Sequence, residues 1–235
     1  MLEVRNLDKF YYFKEHFNSK WQKIQVLNNI NFSLENGENL SILGVSGSGK
    51  STLANLLSGL ESPTNGKILL DGVKFKNLNK KISLIMQNQK ICLNPALKIK
   101  TNLNLLKKYV NLKFKNDEIY ALFKMLNLKS EILNKFPHEL SGGEATRIGI
   151  LKALLVKSEI LICDEITAGL DEENQNQVMN ILKNLNQSVI FISHDLEVAK
   201  EISKNVLILE KGKTLFFGKF SELQNSEILN KFSQD

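Results

Sequence analysis

The chain is predicted to be an α/β protein, an alternation of strands and helices interrupted by a mostly helical insertion. Three observations predict it. An apolar run, Leu40 to Leu43, gives way to a glycine-rich turn and then to residues with helical periodicity. Short apolar runs recur further on, at Ile82 to Met86, Ile160 to Cys163, Val189 to Ile192 and Val206 to Leu209. Between about Asn94 and Lys157 the apolar spacing changes to the helical period. At 235 residues the chain can bury one large core, so a single domain over 1–235 is expected.

Taken in order, Leu2 to Leu7 alternates apolar and polar residues, as a half-buried strand does. Phe10-Tyr11-Tyr12-Phe13 is an aromatic cluster of which at least two members should pack internally. The polar stretch Lys14 to Lys23 reads as an exposed loop. Val26-Leu27 and Ile30 to Leu34 read as strands, with Asn36-Gly37 as a turn before Leu40 to Leu43. Thr52 to Leu60 is helical. Ser62 to Gly66 is a turn cluster, Lys67 to Leu70 a strand, and Asp71-Gly72 a hairpin signal. Ile82 to Met86 is a buried strand ending at Gln87.

In the insertion, Thr101 is the expected cap of a helix over Asn102 to Tyr109. Asn116-Asp117 begins another through Met125, and Glu144 to Leu155 makes a third. Strands then resume. Asp171 caps a helix through Asn184, with Glu172 and Glu173 in the first turn, where the helix dipole favours negative charge. A helix follows Val189 to Ile192 and runs to about Ile202. Val206 to Leu209 turns at Lys211-Gly212 into Thr214 to Phe217, and Ser221 to Asp235 reads as one or two short amphipathic helices.

Composition narrows the function. The net charge is +6, from 31 Lys+Arg against 25 Asp+Glu, which permits an anionic partner without demanding one. Only Arg5 and Arg147 are arginine, so sequence-specific reading of DNA is disfavoured and no nucleic-acid partner is expected. Cys92 and Cys163 lie far apart and form no C-x-x-C pattern; both read as small core residues in a reducing compartment. No targeting signal and no bilayer-length apolar run is present, so a soluble, cytoplasmic chain is expected. Any membrane role would come from docking on another subunit.

Gly44-Val45-Ser46-Gly47-Ser48-Gly49-Lys50-Ser51 matches G-x-x-x-x-G-K-[ST] in full, between a strand and a helix. Glycines let successive N–H groups point inward at phosphate oxygens, and the helix adds its positive end. Lys50 would reach the β- and γ-phosphates, and Ser51 would take a place on Mg²⁺. A buried strand ending in a carboxylate is the second requirement, and Asp164 supplies it, holding Mg²⁺ directly or through water. Glu165 follows, and adjacent side chains at a strand end point apart, so it can face an attacking water.

Leu140-Ser141-Gly142-Gly143-Glu144 resembles the signature motif of the nucleotide-binding subunits of ABC (ATP-binding cassette) transporters. Gln87 is similar to that family's Q-loop glutamine, Ala168-Gly169-Leu170-Asp171 to its D-loop, and His194 to its switch histidine. The resemblance runs from Leu2 to about Gly218 and implies a P-loop NTPase core, a mixed sheet with helices on both faces, with an N-terminal antiparallel β subdomain. It divides the chain into a nucleotide-binding core, 1–93 and 158–218, a helical subdomain with the signature, 94–157, and a tail, 219–235.

The resemblance implies an ATP hydrolase using ATP and Mg²⁺. ATP would be held by Gly44 through Ser51 with Thr52, and by Tyr11 stacked on adenine, with Phe10 and Tyr12 as alternatives. Ser51 and Gln87 would ligate Mg²⁺ beside Asp164, Glu165 would be the general base, and His194 would contact the γ-phosphate. Ser141, Gly142, Gly143 and Glu144 would grip ATP held by a second cassette, with Asp171 packed across that interface, so a monomer would not be the active form. Two departures stand out. Glu144 occupies a place where glutamine is usual, adding negative charge near a phosphate site, and Ile166 a place where proline is usual.

Finer text resembles cassettes of oligopeptide and nickel importers: Asn94-Pro95 after Gln87, Phe136 to Leu140, and Gly59 to Pro63. The absence of a cysteine-bearing C-terminal tail favours nickel, with oligopeptides as the alternative and iron-sulfur assembly as a reading of another class. Implied partners are two transmembrane permease subunits, a second cassette, for which a heterodimer is favoured over a homodimer, and an extracytoplasmic solute-binding protein. The chain would sit on the inner face of the cell membrane.

Overall fold

The computed structural model describes residues 1–16, 19–74, 81–110 and 114–223. In chain order its elements are β1 (Leu2–Phe13), β2 (Gln22–Leu34), β3 (Leu40–Leu43), α1 (Lys50–Ser58), β4 (Asn65–Leu70), β5 (Val73–Lys74), β6 (Ile82–Ile85), α2 (Ile99–Val110), α3 (Asn116–Met125) and α4 (Gly142–Val156). There follow β7 (Ile160–Asp164), α5 (Glu172–Lys183), β8 (Ser188–Ser193), α6 (Leu196–Ile202), β9 (Asn205–Glu210), β10 (Lys213–Lys219) and α7 (Phe220–Leu223). The chain forms two compact units, Met1–Leu78 with Ser188–Asp235, and Asn79–Gln187.

The first unit carries an antiparallel sheet in the order β2-β1-β4-β5. It also carries the run β10-β9-β3-β8, in which β3 is parallel to β8 and β9 while β10 returns antiparallel. Parallel strands buried on both faces read as continuous apolar runs, and Leu40, Ile42, Leu43 and Val189 to Ile192 are all sealed from solvent. Ser41 is the polar exception. Its hydroxyl donates to the Ala199 carbonyl at 2.9 Å and accepts from Ser203 at 2.7 Å, which fastens α6 over β3.

β2 is one unbroken strand from Gln22 to Leu34, where the sequence suggested two short ones after a loop reaching Lys23. Bulges reconcile the readings. Asn6 and Asn29 take left-handed backbone, and the β1–β2 register shifts between Val4 and Phe10. Asn31 Oδ1 accepts from the Asn6 amide and Asp8 Oδ1 from the Asn29 amide, both at 2.8 Å, so side chains replace the ladder bonds that the bulges remove. The turns Asp71-Gly72 and Lys211-Gly212 have positive φ at both residues, which suits the right-handed twist of hairpin strands.

In the second unit β6 and β7 pair in parallel, and α2, α3 and α4 all fall between residues 99 and 156. α2 starts at Ile99, before the predicted Thr101 cap. The Ile99 amide donates to the Lys135 carbonyl at 2.9 Å and its side chain is fully buried, so a tertiary bond replaces a local cap. α4 starts at Gly142 rather than Glu144, because Ser141 caps it and both glycines lie inside the helix. Cys163 is buried as expected, but Cys92 is exposed, in a short 3-10 helix over Gln89–Cys92 that apolar periodicity does not flag. Of the predicted tail helices, Phe220–Leu223 is helical, and the rest lies outside the described residues.

Candidate functional site

The first unit holds the phosphate loop between β3 and α1. Gly47 and Gly49 have φ of 77° and 105°, backbone that side-chain-bearing residues resist. Gly44 answers a different need: a β-carbon there would lie 2.4 Å from Ser48 Oγ and 2.5 Å from the Leu209 carbonyl. Gly212 N donates to the Ser48 carbonyl at 3.0 Å, so the β9–β10 turn buttresses the loop from behind. Lys50 is 6% exposed, and its Nζ donates to the Gly44 and Val45 carbonyls at 2.6 and 3.1 Å. α1 has no acid in its first turn, which leaves its positive end for an anion. The Ser48 hydroxyl is buried with no hydrogen-bond partner, a polar atom facing into the cradle that Gly44 leaves open.

Two predicted residues join this loop. Leu43 is level with Ser193 in the parallel β3–β8 register, so His194 stands beside Gly44 one position beyond the strand ends. It is exposed there, and Asp195 caps the following helix by accepting from the Glu197 and Val198 amides. Tyr11, half-buried on β1, donates to Glu61 Oε2 at 2.6 Å; Glu61 also holds Lys9 at 2.8 Å and Asn55 of α1 at 3.1 Å. Burial, and then the Glu61 carboxylate, raise the Tyr11 hydroxyl's pKa against a smaller opposing bond with Thr52. Of the three aromatic candidates, Tyr11 is therefore the one tied to α1. Phe10 is covered by the Lys23 ammonium at 3.7 Å, and Tyr12 is 59% exposed.

The second unit gathers the other predicted residues. Ile85 is level with Cys163 in the β6–β7 pair, so Gln87 and Asp164 both lie at or just beyond the ends of adjacent strands. Glu165 has φ of 51°, so the chain leaves β7 through left-handed backbone that turns this carboxylate away from the strand's alternation. Ile166 is buried, and its carbonyl accepts from the Thr146 hydroxyl of α4 at 3.4 Å, which fixes the loop at the position where proline was expected.

Ser141 caps α4 with a reciprocal pair of bonds. Its hydroxyl accepts from the Glu144 amide at 3.1 Å, and its own amide donates to Glu144 Oε2 at 2.8 Å. Burial pushes the Glu144 carboxyl up, but the Ser141 amide and the Lys135 ammonium, 3.0 Å from Oε1, together hold it below its ordinary value. Gly143 is set by space, since a β-carbon there would lie 2.3 Å from Asn174 Oδ1, whereas one on Gly142 would meet only Leu170 Cδ2, at 3.1 Å. Asn174 in turn donates to both oxygens of Asp171, which caps α5.

Sequence reasoning missed four residues that hold this arrangement. Arg147, 6% exposed, donates to Asn174 at 3.2 Å and to Gln177 at 3.0 Å, joining α4 to α5. Gln89 is buried against Gly149 and donates to the Met86 carbonyl at 2.9 Å, next to Gln87. Glu61 and Lys135 complete the set. Arg147 had a signal in being one of only two arginines, and the others had none.

The donors assigned to Mg²⁺, the Ser51 hydroxyl, Gln87 amide and Asp164 carboxylate, are all hard oxygens, the ligands this ion takes. Among the described residues there is no cluster of three or more His, Cys, Asp or Glu that could hold a metal.

Comparison with known proteins identifies the family and the fold. The family described as ABC transporter matches residues 27–168. The oligopeptide transport ATP-binding protein OppF of Haemophilus influenzae is 34% identical, over 96% of this chain and 74% of that protein. The dipeptide transport ATP-binding protein DppF of the same organism is 32% identical over 92% and 70%. The methionine import ATP-binding protein MetN 1 of Oenococcus oeni is 31% identical over 88% and 62%. Among solved structures, the ATP-binding cassette MJ0796, a dimer in a post-hydrolysis state bound to ADP and Pi, superposes with TM-score 0.80 at 30% identity, over 93% of this chain and 98% of that one. The fold is therefore the ABC cassette fold. A family match that takes in both the phosphate loop and the strand ending in Asp164, with relatives above 30% identity along nearly the whole chain, leaves one conclusion: the protein belongs to the ABC transporter family, as an ATP-hydrolysing cassette.

Proposed function

We propose that the chain is the ATPase subunit of an importer for peptides, acting as one half of a cassette dimer. The observation that carries it is that one chain builds two glycine-bearing helix starts, the loop before α1 and the Ser141-capped start of α4, which this reading takes as two halves of an anion site. A cassette that closes head to tail uses one of each per nucleotide, so a second cassette completes the site. The loop amides and Lys50 hold the β- and γ-phosphates, and Tyr11 stacks on adenine. The partner's serine hydroxyl and glycine amides then close on the γ-phosphate. Glu165 takes the proton of the attacking water, while Gln87 and His194 fix its line of attack. Ser51, Gln87 and Asp164 would hold Mg²⁺, which when bound would supply positive charge to the phosphate oxygens. The water oxygen bonds to the γ-phosphorus as the bond to the ADP oxygen breaks, and phosphate and ADP leave as the dimer reopens.

The names of the relatives support peptides as cargo better than nickel, which the sequence text had favoured. Two permease subunits and a solute-binding protein outside the membrane complete this assembly, with a second cassette, identical or related, beside this chain on the inner face of the membrane. Among the described residues no helix is long and apolar enough to cross a bilayer, so the crossing is assigned to the permeases. The test is uptake of a labelled tripeptide and of labelled nickel, in parallel, by cells lacking this chain. Peptide uptake should fall to background with nickel unchanged; the reverse result would restore the nickel reading, and loss of neither would remove both.

A further inference from the structure

An acid in the first turn of a helix steadies the helix, but it opposes any anion that approaches the same end. Glu144 occupies that place in α4, three residues after the cap, where the proposed in-trans phosphate site lies. Its two oxygens are both engaged. Oε1 is 3.0 Å from Lys135 Nζ, and Oε2 is 3.3 Å from the same ammonium and 2.8 Å from the Ser141 amide. Lys135 is delivered by anchored backbone: its amide donates to the Ile132 carbonyl at 3.0 Å and its carbonyl accepts from Ile99 at 2.9 Å. Of the neighbouring charges, Arg147 hydrogen-bonds Asn174 and Gln177 and adds a smaller electrostatic pull on Glu144 than Lys135 does, while Asp171 is held by Asn174.

We infer that Lys135 is a positioning residue for nucleotide-driven dimerisation: it neutralises Glu144 and keeps that carboxylate folded on the helix cap, so that a signature carrying an acid can still receive a γ-phosphate. The inference rests on the reading of Ser141 to Gly143 as the in-trans site. Lys135 touches no nucleotide in this scheme and acts only through Glu144. With the side chains 36% and 21% exposed, the pair is half-buried, and as a plain surface ion pair it would contribute little to folding. Its importance is to the charge that meets the phosphate, which makes the two roles separable.

The experiment measures ATP-dependent self-association of the full chain carrying Glu165→Gln, by sedimentation, with melting of each variant recorded without nucleotide. Lys135→Met keeps the apolar stem and removes the charge. It should raise the half-saturating ATP concentration about tenfold while shifting nucleotide-free melting little. In a Glu144→Gln background the same substitution should change it less than about twofold. Lys135→Arg, which keeps the charge, should behave as Lys135 does. An equal effect of Lys135→Met in both backgrounds, no effect in either, or an Arg variant as weak as the Met variant overturns the inference. Ser141→Arg separates it from the reading beneath: that variant should not associate at all, and if it associates normally the signature assignment itself fails.

Discussion

Gln89 shows how much a single unremarked residue can hold. Its side chain fills the space that a β-carbon on Gly149 would need, 2.6 Å from Oε1, while its amide donates to the Met86 carbonyl just before Gln87. Gly149→Ala should therefore destabilise the chain by about 1–3 kcal/mol in urea unfolding, the usual cost of overpacking. Gln89→Ala in the same chain should offset part of that loss by making room, a coupling that a double-mutant cycle reads directly. The two thiols make a second prediction at this scale. Burial, with Asp164 beside it, pushes the Cys163 thiol far up, whereas Cys92 is exposed. A thiol reagent should label one cysteine in the native protein and two after denaturation; two rapid labels in the native state would contradict the burial. Sequence alone treated both as core; the run Ile160 to Ile162 supports that for Cys163, whereas Cys92 follows only Ile91 after two polar residues and lies on a short 3-10 turn. The turn between β3 and α1 was legible in the sequence, because Gly47 and Gly49 answer local backbone demands, although Gly44 also makes room for the Leu209 carbonyl. Gly149 answers a side chain sixty positions away, and nothing local announces it.

At the scale of elements, α4 joins helix stability to site chemistry. Ser141→Ala removes the cap hydroxyl and should cost about 1 kcal/mol of stability. Acid should act on the same turn. The Glu144 carboxyl is held below its ordinary 4.5 in the folded chain, so its contribution is present above that value and is lost as pH falls through the lowered one. Melting temperature plotted against pH should thus fall below about pH 4.5, and less steeply in Lys135→Met. Asp171 works in the same direction at α5, where the Asn174 amide and side chain lower its pKa. α3 and α5, each with acids in the first turn, began where the sequence placed them, while α4, capped by Ser141, began two residues early. α2 did not. Asn102 turns back to bond the Asn94 and Leu97 carbonyls, and Ile99 is seated by Lys135, so its start is set by tertiary partners that periodicity cannot see.

For the whole molecule, the motifs divide between the two units. Tyr11, the phosphate loop and His194 belong to one; Gln87, Asp164, Glu165, the signature and Asp171 belong to the other. Motif order along the chain was plain from the sequence, but the return of β8 to the first unit, which brings His194 level with Gly44, depends on strand pairing no motif encodes. Glu165→Gln should lower ATP turnover about 10²- to 10⁴-fold while nucleotide binding persists, since it removes a proton acceptor without touching the loop. Turnover and binding measured on the same preparation decide this, and normal turnover would move the base elsewhere. Asn174 carries a consequence on a longer timescale. Its carboxamide occupies the place of a missing β-carbon at Gly143 while it braces Asp171. Neither position can change alone without a clash or a gap, so the two should mutate as a pair over evolutionary descent, and a lineage that enlarges residue 143 should show a smaller residue at 174.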